Sequence, residues 1–454
     1  MLGLLAGCAG PRPAPPSEAA VVPPPAWRTS AARSDADVSP TWWEAFGDPG
    51  LTRIVAAALD GNDDIRIAAA RVAQLMARSE LARAQRLPDV SGAWAGQRSR
   101  SVGPFATPQT QTASEPVVTL SFDADLFGRL RFASDAVRAE LLATRAAQAD
   151  VRLLVAATAA RLWFTLRALD ARLATLRETV AARQETLRLM QRRVAAGYAA
   201  QLELTQADAE LRSTEQQVPV AELGIQRTED ALSLLLGRNP GPIERGEPLL
   251  QLARPAVPAT LPSALLRRRP DIVEAEERLV AADRSLDASR AAFMPDLQLS
   301  ANLGRVSSSL LASPITVFTL GASILAPIFD AGRLRAQQDA SAALRDETAF
   351  AYRKAVLNAF AEVEDSLAAT QRLREQLDAL LAQEQALRRS FQIASERYRA
   401  GYSPFLDQLD AQRNLLSVQL AVAQARADQL NAYVTLFQAF GGGWDRSQME
   451  AAGK

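Results

Sequence analysis

Two acidic side chains, Asp407 and Asp410, lie three residues apart in the stretch RYRAGYSPFLDQLDAQ at residues 397–412. Side chains with this spacing occupy one face of a helix. Ser403 and Pro404 directly before them predict a helix start, with Ser403 as the capping residue and Pro404 at the first helical position. Carboxylates in a first helical turn complement the helix dipole by about 0.3–1 kcal/mol each. This role accounts for Asp407, whereas Asp410 lies further into the helix.

The stretch RRVAAGYAAQLELTQAD repeats this turn earlier in the chain, with Gly197 placed 204 positions before Gly401. Each glycine follows a long helical pattern, so we expect it just past a helix end, in the left-handed conformation that glycine tolerates. The positions that correspond to the two acids hold Glu203 and Gln206. The first copy of the turn therefore offers at most one carboxylate.

Composition argues against catalysis. The 454 residues include no histidine, which is the commonest general base and metal ligand, and the single cysteine, Cys8, cannot form an intramolecular disulfide or a cysteine-based zinc site. The motifs GxGxxG and GxSxG and the phosphate-binding P-loop motif do not occur. Because 51 basic residues balance 51 acidic ones, the net charge gives no support to nucleic-acid binding. We expect no enzyme, no cofactor, no metal site and no nucleic-acid partner.

Further segments recur and show that the chain is duplicated. FGRLR at residues 127–131 returns as AGRLR at 331–335, again 204 positions later, and LPDV at 87–90 returns as MPDL at 294–297, 207 positions later. We therefore predict five parts: a leader remnant and tether (1–40), a first repeat (41–237), a connector rich in proline (238–266), a second repeat (267–443) and a tail (444–454).

Each repeat has the same predicted order of elements. A first helix precedes two short strands, a very long helix with a heptad pattern follows, and a second helix returns along it. At about 1.5 Å per residue the long helix of the first repeat would span roughly 100 Å. The predicted helices are 51–86, 129–196 and 203–236 in the first repeat. In the second they are 268–293, a long helix that stops at Gly401, and 404–440. The polar stretch 98–116 is predicted to be an exposed loop.

The predicted strands alternate apolar and polar residues, although the first, near residues 89–97, does so poorly. In VVTLSFDADLF the apolar positions run from Val118 to Leu126 on one side, and threonine, serine and aspartate occupy the other. No uncharged apolar run reaches 18 residues, so strands are the only route into a membrane. Four strands cannot close a barrel alone, which predicts an oligomer. A soluble sheet packed on the helices is the alternative.

The amino-terminal residues Leu5-Ala6-Gly7-Cys8 resemble a bacterial lipobox, in which the cysteine is lipidated after cleavage of a signal peptide. The segment 11–25 that follows is rich in proline and predicts an unfolded tether between a lipid anchor and the folded protein. The alternative is a chance match in a disordered tail.

The duplicated order of elements, together with TWWEAFGDPGL at 41–51, LRRRPDI at 266–272, MPDL and the two Gly-Tyr turns, resembles the TolC family of bacterial outer-membrane efflux proteins. The likeness covers nearly the whole chain and is greatest to the lipoprotein branch typified by OprM and NodT. It implies a mainly α protein with a small transmembrane β part. Three copies would form an α-helical barrel capped by a 12-strand β-barrel, with four strands from each chain.

The resemblance also implies a passive channel in the outer membrane, anchored there by lipid and extending far into the periplasm. Drugs would enter it from an inner-membrane transporter of the RND type, through a periplasmic adaptor protein. Type I protein secretion and metal efflux are alternatives within the family, and a soluble coiled-coil scaffold is an alternative outside it.

Site roles follow from the same resemblance. Acids at the positions of Asp407, Asp410 and Glu203 would ring the periplasmic aperture and favour cations, with the helix dipole as the alternative role of the two aspartates. The two hairpins would contact the adaptor, with local turn packing as the alternative. Their residues are Gly197, Tyr198, Gly401, Tyr402, Ser403 and Leu406.

Overall fold

The computed structural model describes residues 11–29, 38–102, 105–258 and 261–447. Within them lie nine α-helices and four β-strands. The helices are α1 (Pro49–Gly61), α2 (Asp63–Ala84), α3 (Arg129–Ala195), α4 (Gln201–Glu215), α5 (Gln217–Leu235), α6 (Leu265–Arg268), α7 (Pro270–Ala291), α8 (Arg333–Arg399) and α9 (Phe405–Ala439). The strands are β1 (Asp89–Val102), β2 (Pro108–Asp123), β3 (Asp296–Ser308) and β4 (Ile315–Leu325). No described helix combines the length and the apolar character that crossing a membrane would need.

The four strands form one antiparallel sheet in the order β1-β2-β3-β4. Its register aligns the apolar positions of all strands on one face: Val118 pairs with Gly92 and with Leu303, which pairs with Phe318. Most positions of the other face are polar, with serine, threonine, glutamine, asparagine and aspartate among them. Phe318 is 74% exposed, so in the single chain the apolar face has no cover. The predicted alternation is confirmed, and packing of this face on the helices is not observed.

The prediction of a loop at 98–116 is wrong. β1 continues to Val102 and β2 begins at Pro108, and the two strands pair along their whole length. The stretch is polar because both of its faces are exposed, so hydrophobic alternation could not reveal it. Backbone pairing with the neighbouring strand stabilises it instead.

Two helices predicted as continuous are interrupted. The segment 51–86 breaks at Asn62, whose side-chain oxygen accepts hydrogen bonds from the backbone N–H groups of Asp64 and Ile65 and so caps α2. The segment 203–236 breaks between α4 and α5, because Pro219 has no N–H to donate to the preceding turn. The very long helix of the first repeat is confirmed, since α3 spans Arg129–Ala195.

The described chain divides into two compact units, and each unit combines parts of both predicted repeats. The first contains the sheet and consists of the described residues within 1–21, 70–145 and 273–355. The second consists of the described residues within 22–69, 146–272 and 356–454. In the second unit an aromatic core surrounds Phe46, which is fully buried and lies 5.0 Å from Phe164 between ring centroids. The tryptophan-rich motif at 41–51 therefore has a packing role.

Part of the predicted tether at residues 11–25 is bound to the folded protein and is not free. In the first unit Arg12 forms ion pairs with Asp283, at 2.6 Å, and Asp287, and the buried Arg345 donates to the carbonyl oxygens of Pro13 and Ala14. Proline disfavours α-helix and sheet here but leaves carbonyl oxygens free to accept hydrogen bonds. The predicted lipidation residue, Cys8, lies outside the described residues.

Candidate functional site at the helical turns

Both Gly-Tyr turns end their long helices with the same hydrogen-bond motif. In the first, Gly197 has a φ of +76°, and the N–H groups of Gly197 and Tyr198 donate to the carbonyl oxygens of Val194 and Arg193. In the second turn, Gly401 has a φ of +81°, and the same two backbone hydrogen bonds form at the end of α8. This is the Schellman motif, which satisfies the last carbonyls of a helix. The predicted left-handed glycines are confirmed at both turns.

The predicted cap of the following helix is wrong. Pro404 has an extended ψ of 159°, so α9 begins at Phe405, and Ser403 makes no capping bond. The hydroxyl oxygen of Ser403 is buried without a hydrogen-bond partner in the described structure. Asp407 lies exposed in the first turn of α9, where a carboxylate complements the helix dipole. The position of Asp407 fits the predicted interaction of its carboxylate with the helix dipole.

Asp410 belongs to a charge network that joins α9 to α4. Arg413 lies 3.3 Å from Asp410 and also donates to Glu210, with 2.7 Å between Arg413 Nε and Glu210 Oε1. The other carboxylate oxygen of Glu210 lies 2.9 Å from the guanidinium of Arg183 on α3. Two carboxylates and two guanidinium groups therefore alternate across three helices.

The network is buried at one end and exposed at the other. The Arg183 side chain is 4% exposed, and burial lowers its pKa. The Arg413 side chain is 47% exposed, and its hydrogen bond to Glu210 raises its pKa. An exposed pair such as Asp410 with Arg413 contributes about 0–1 kcal/mol, whereas removing one partner of a buried pair costs about 3–5 kcal/mol. Glu210 is thus the structural centre, and Asp410 has an exposed carboxylate partly neutralised by Arg413.

Glu203 lies against Tyr398 near the end of α8. The Tyr398 hydroxyl donates to a Glu203 carboxylate oxygen at 3.4 Å, and the Arg193 guanidinium lies 5.4 Å from the centre of the Tyr398 ring. Burial and the nearby Glu203 charge raise the pKa of Tyr398. The ring also packs on Phe405, so the first residue of α9 is held against the end of α8. The structure therefore places Glu203 at the junction of α4, α8 and α9.

The remaining residues of the two turns are available to a partner. Tyr198 is 85% exposed, Tyr402 is 79% exposed and half of Leu406 is exposed, and a Cβ added to Gly197 or Gly401 would meet no atom within 4 Å. An open cavity of about 550 Å³ lies beside them, which we call the tip groove. Residues of α3, α8 and α9 line it, among them Met190, Arg193, Phe391, Tyr398 and Gln408.

Sequence reasoning missed Arg413, Glu210 and Arg183. The spacing of Asp410 and Arg413 on one helix face was a local signal for the exposed pair. Nothing local indicates that Glu210, about 200 positions earlier, is the partner of Arg413. Among the described residues no three acidic, histidine or cysteine side chains are arranged to hold a metal ion.

Comparisons with known proteins agree on one kind of protein. The family model for outer membrane efflux proteins matches residues 54–238 and 261–442. A solvent efflux pump outer membrane protein of Pseudomonas putida is 35% identical over 423 residues, which cover 92% of this chain and 90% of that protein. A pyoverdine export outer membrane protein of Pseudomonas aeruginosa is 34% identical over 464 residues, which cover 99% of this chain and 97% of that protein. The solved structure of the outer-membrane channel OprN matches with a TM-score of 0.86 and 28% identity, over 96% of this chain and 100% of that one.

Proposed function

Because this chain belongs to the outer membrane efflux protein family, which supplies the outer-membrane channels of tripartite pumps, we propose that three copies enclose one export passage for small organic molecules. The observation that carries this proposal is the four-stranded sheet. One of its faces is apolar and exposed, and both edge strands, β1 and β4, lack a partner on one side among the described residues.

The sheet needs further copies of itself. An exposed strand edge with unpaired N–H and C=O groups is not tolerated in lipid, and transmembrane barrels have at least about eight strands. Channels of this family are trimeric. Three copies would join β4 of one chain to β1 of the next and give twelve strands, with the polar face around the passage.

The cargo class rests on the relatives. Their names specify solvent efflux in one and pyoverdine export in the other, and both cargoes are small organic molecules. We assign the same class to this channel, with an RND-type transporter in the inner membrane and a periplasmic adaptor as its partners. Cys8 would carry the lipid anchor in the outer membrane.

The helical turns would face the adaptor and the aperture. Tyr198, Tyr402 and Leu406 offer exposed apolar surface beside the tip groove, which suits docking of another protein. Asp407 and Asp410 are exposed carboxylates near the same end of α9 and would attract cations to the opening. Gly197, Gly401 and Ser403 shape the backbone of these turns.

Deletion of the gene tests the function. The deletion strain should become several-fold more susceptible to a panel of hydrophobic drugs and solvents, and the intact gene on a plasmid should restore resistance. Native mass spectrometry of the purified protein should give the mass of three chains. Unchanged susceptibility to the whole panel would contradict the cargo class, and a monomeric mass in a membrane-mimetic detergent would contradict the shared barrel.

A further inference from the structure

The apolar face of the sheet carries positive charge at the end away from the helices. The strands enter from α2 and α7, so the β1–β2 and β3–β4 connections mark the far end of the sheet. On the face that carries Val118 and Leu303, the half of the sheet toward this far end contains Arg98, Arg100 and Arg305. All three arginines are exposed.

The two faces of the sheet differ sharply in charge. The described positions of the apolar face include these three arginines and no acid, whereas the polar face includes acids and no arginine. The acids of the polar face are Asp89, Glu115, Asp123 and Asp296. A carboxylate at a neighbouring strand position would neutralise an arginine. The described structure contains no ion pair that involves any of these three arginines. The arginines therefore present uncompensated charge outward.

The height of the arginines on the sheet matches a lipid headgroup layer. Leu297 and Arg305 lie eight residues apart on β3, about 27 Å along the strand, or about 20 Å along the normal of a membrane for a tilted barrel strand. Trp94 on β1 is 75% exposed and lies at the same height on the sheet as Arg305. Aromatic residues of transmembrane barrels lie at the membrane interface. Arg98 and Arg100 lie four and six residues further out, beyond the hydrocarbon.

We propose that Arg98, Arg100 and Arg305 bind the phosphate groups of a bisphosphorylated lipid in the outer leaflet, the chemistry of lipopolysaccharide. Arginine forms paired hydrogen bonds with phosphate, and the layer into which these side chains project contains the lipid's charged groups. Arg98 and Arg305 lie about 17 Å apart by standard strand spacing, which is too far for one phosphate to bridge. A lipid with two phosphates, or neighbouring lipids of that kind, fits the patch.

This inference depends on membrane insertion of the sheet but not on the exported cargo. The probe is lipopolysaccharide in detergent micelles, and native mass spectrometry counts the lipid molecules bound to the full-length protein. The triple variant R98Q/R100Q/R305Q should bind at least tenfold less, while R98K/R100K/R305K should stay within about threefold of the original protein. The control R71Q/R78Q/R353Q removes three exposed charges outside the sheet and should bind normally.

Two measurements on the unaltered protein avoid any effect of mutation on folding. Enzymatic removal of the lipid's phosphates should reduce binding at least tenfold, and binding should weaken as salt concentration rises. Equal binding of dephosphorylated lipid, or of phosphatidylglycerol with its single phosphate, would overturn the proposal. Drug export by the glutamine variant should persist, so a failure of lipid binding and a failure of the channel are distinguishable.

Discussion

Asp407 and Asp410 have the same charge but different surroundings. Asp407 is exposed in the first turn of α9, with no ion pair among the described residues, whereas Arg413 lies 3.3 Å from Asp410. An opposite charge at this distance cancels part of the field that a carboxylate projects into water. If both acids line the aperture, Asp407 supplies more of its cation preference.

Conductance measurements test this difference. In planar bilayers under a salt gradient, Asp407→Asn should reduce the cation preference more than Asp410→Asn, and the double variant should reduce it further. The control Asp208→Asn removes an exposed acid on α4 that pairs with Arg212 and should leave selectivity unchanged. Equal selectivity in all four variants would leave the two aspartates with the helix-dipole role alone.

Helix ends depend on glycine for two separate reasons. Four glycines with positive φ end helical segments: Gly197, Gly401, Gly237 and Gly441. At the first two, an added Cβ would meet only open space. At Gly237 it would overlap the carbonyl oxygen of Gly61, and at Gly441 that of Arg268. The first pair needs glycine for conformation alone, and the second pair also needs it for close packing of backbone on backbone.

Alanine substitution separates these two requirements. Gly197→Ala and Gly401→Ala should cost about 1–2 kcal/mol each, the strain of a left-handed residue with a side chain. Gly237→Ala and Gly441→Ala should cost several kcal/mol more, because backbone must move. Thermal unfolding of each purified variant provides the comparison, and similar melting temperatures for the two pairs would contradict the packing role.

At the scale of the whole molecule, the amino-terminal segment contributes to both compact units. In the first unit Arg12 pairs with Asp283. In the second, Trp27 is 6% exposed and packs edge-on against Phe360, and the N–H of Arg28 donates to Glu364 at 2.7 Å. If Cys8 carries the proposed lipid anchor, residues 11–29 would attach it to the folded protein at fixed points.

Limited proteolysis tests how firmly the segment is attached. Trp27→Ala should expose it, because removal of a buried tryptophan costs about 3–5 kcal/mol and would raise local opening at least 100-fold. Cleavage before residue 38 should therefore accelerate greatly, without loss of the helical signal in circular dichroism. Val22→Ala is the control, since Val22 is 88% exposed and its removal should change nothing. Equal cleavage rates would indicate that Trp27 does not hold the segment.

Much of the architecture was readable from the sequence. The fold class, mainly α with a transmembrane β part in a duplicated unit, is confirmed by the fold and by the related channels, as is the function of an outer-membrane efflux channel. The long helix α3 and the left-handed Gly197 and Gly401 were predicted correctly. These features depend on side-chain periods and glycine conformations, which act over a few residues and recur at the same spacing in both repeats.

Only the tertiary structure decided which distant residues meet. The pairing of Arg413 with Glu210, the attachment of Trp27 and the placement of Arg98 and Arg305 on one face of the sheet all depend on contacts between segments far apart in the chain. Strand register has the same origin, because polar strands such as residues 98–102 are stabilised by hydrogen bonds to a neighbour and not by their own pattern. The sequence by itself determined the periodic elements and the family to which they belong. The gathering of three arginines on one face of the sheet and the network at the helix junction required the fold, because hydrogen bonds and ion pairs depend on distance in space and carry no periodic signature.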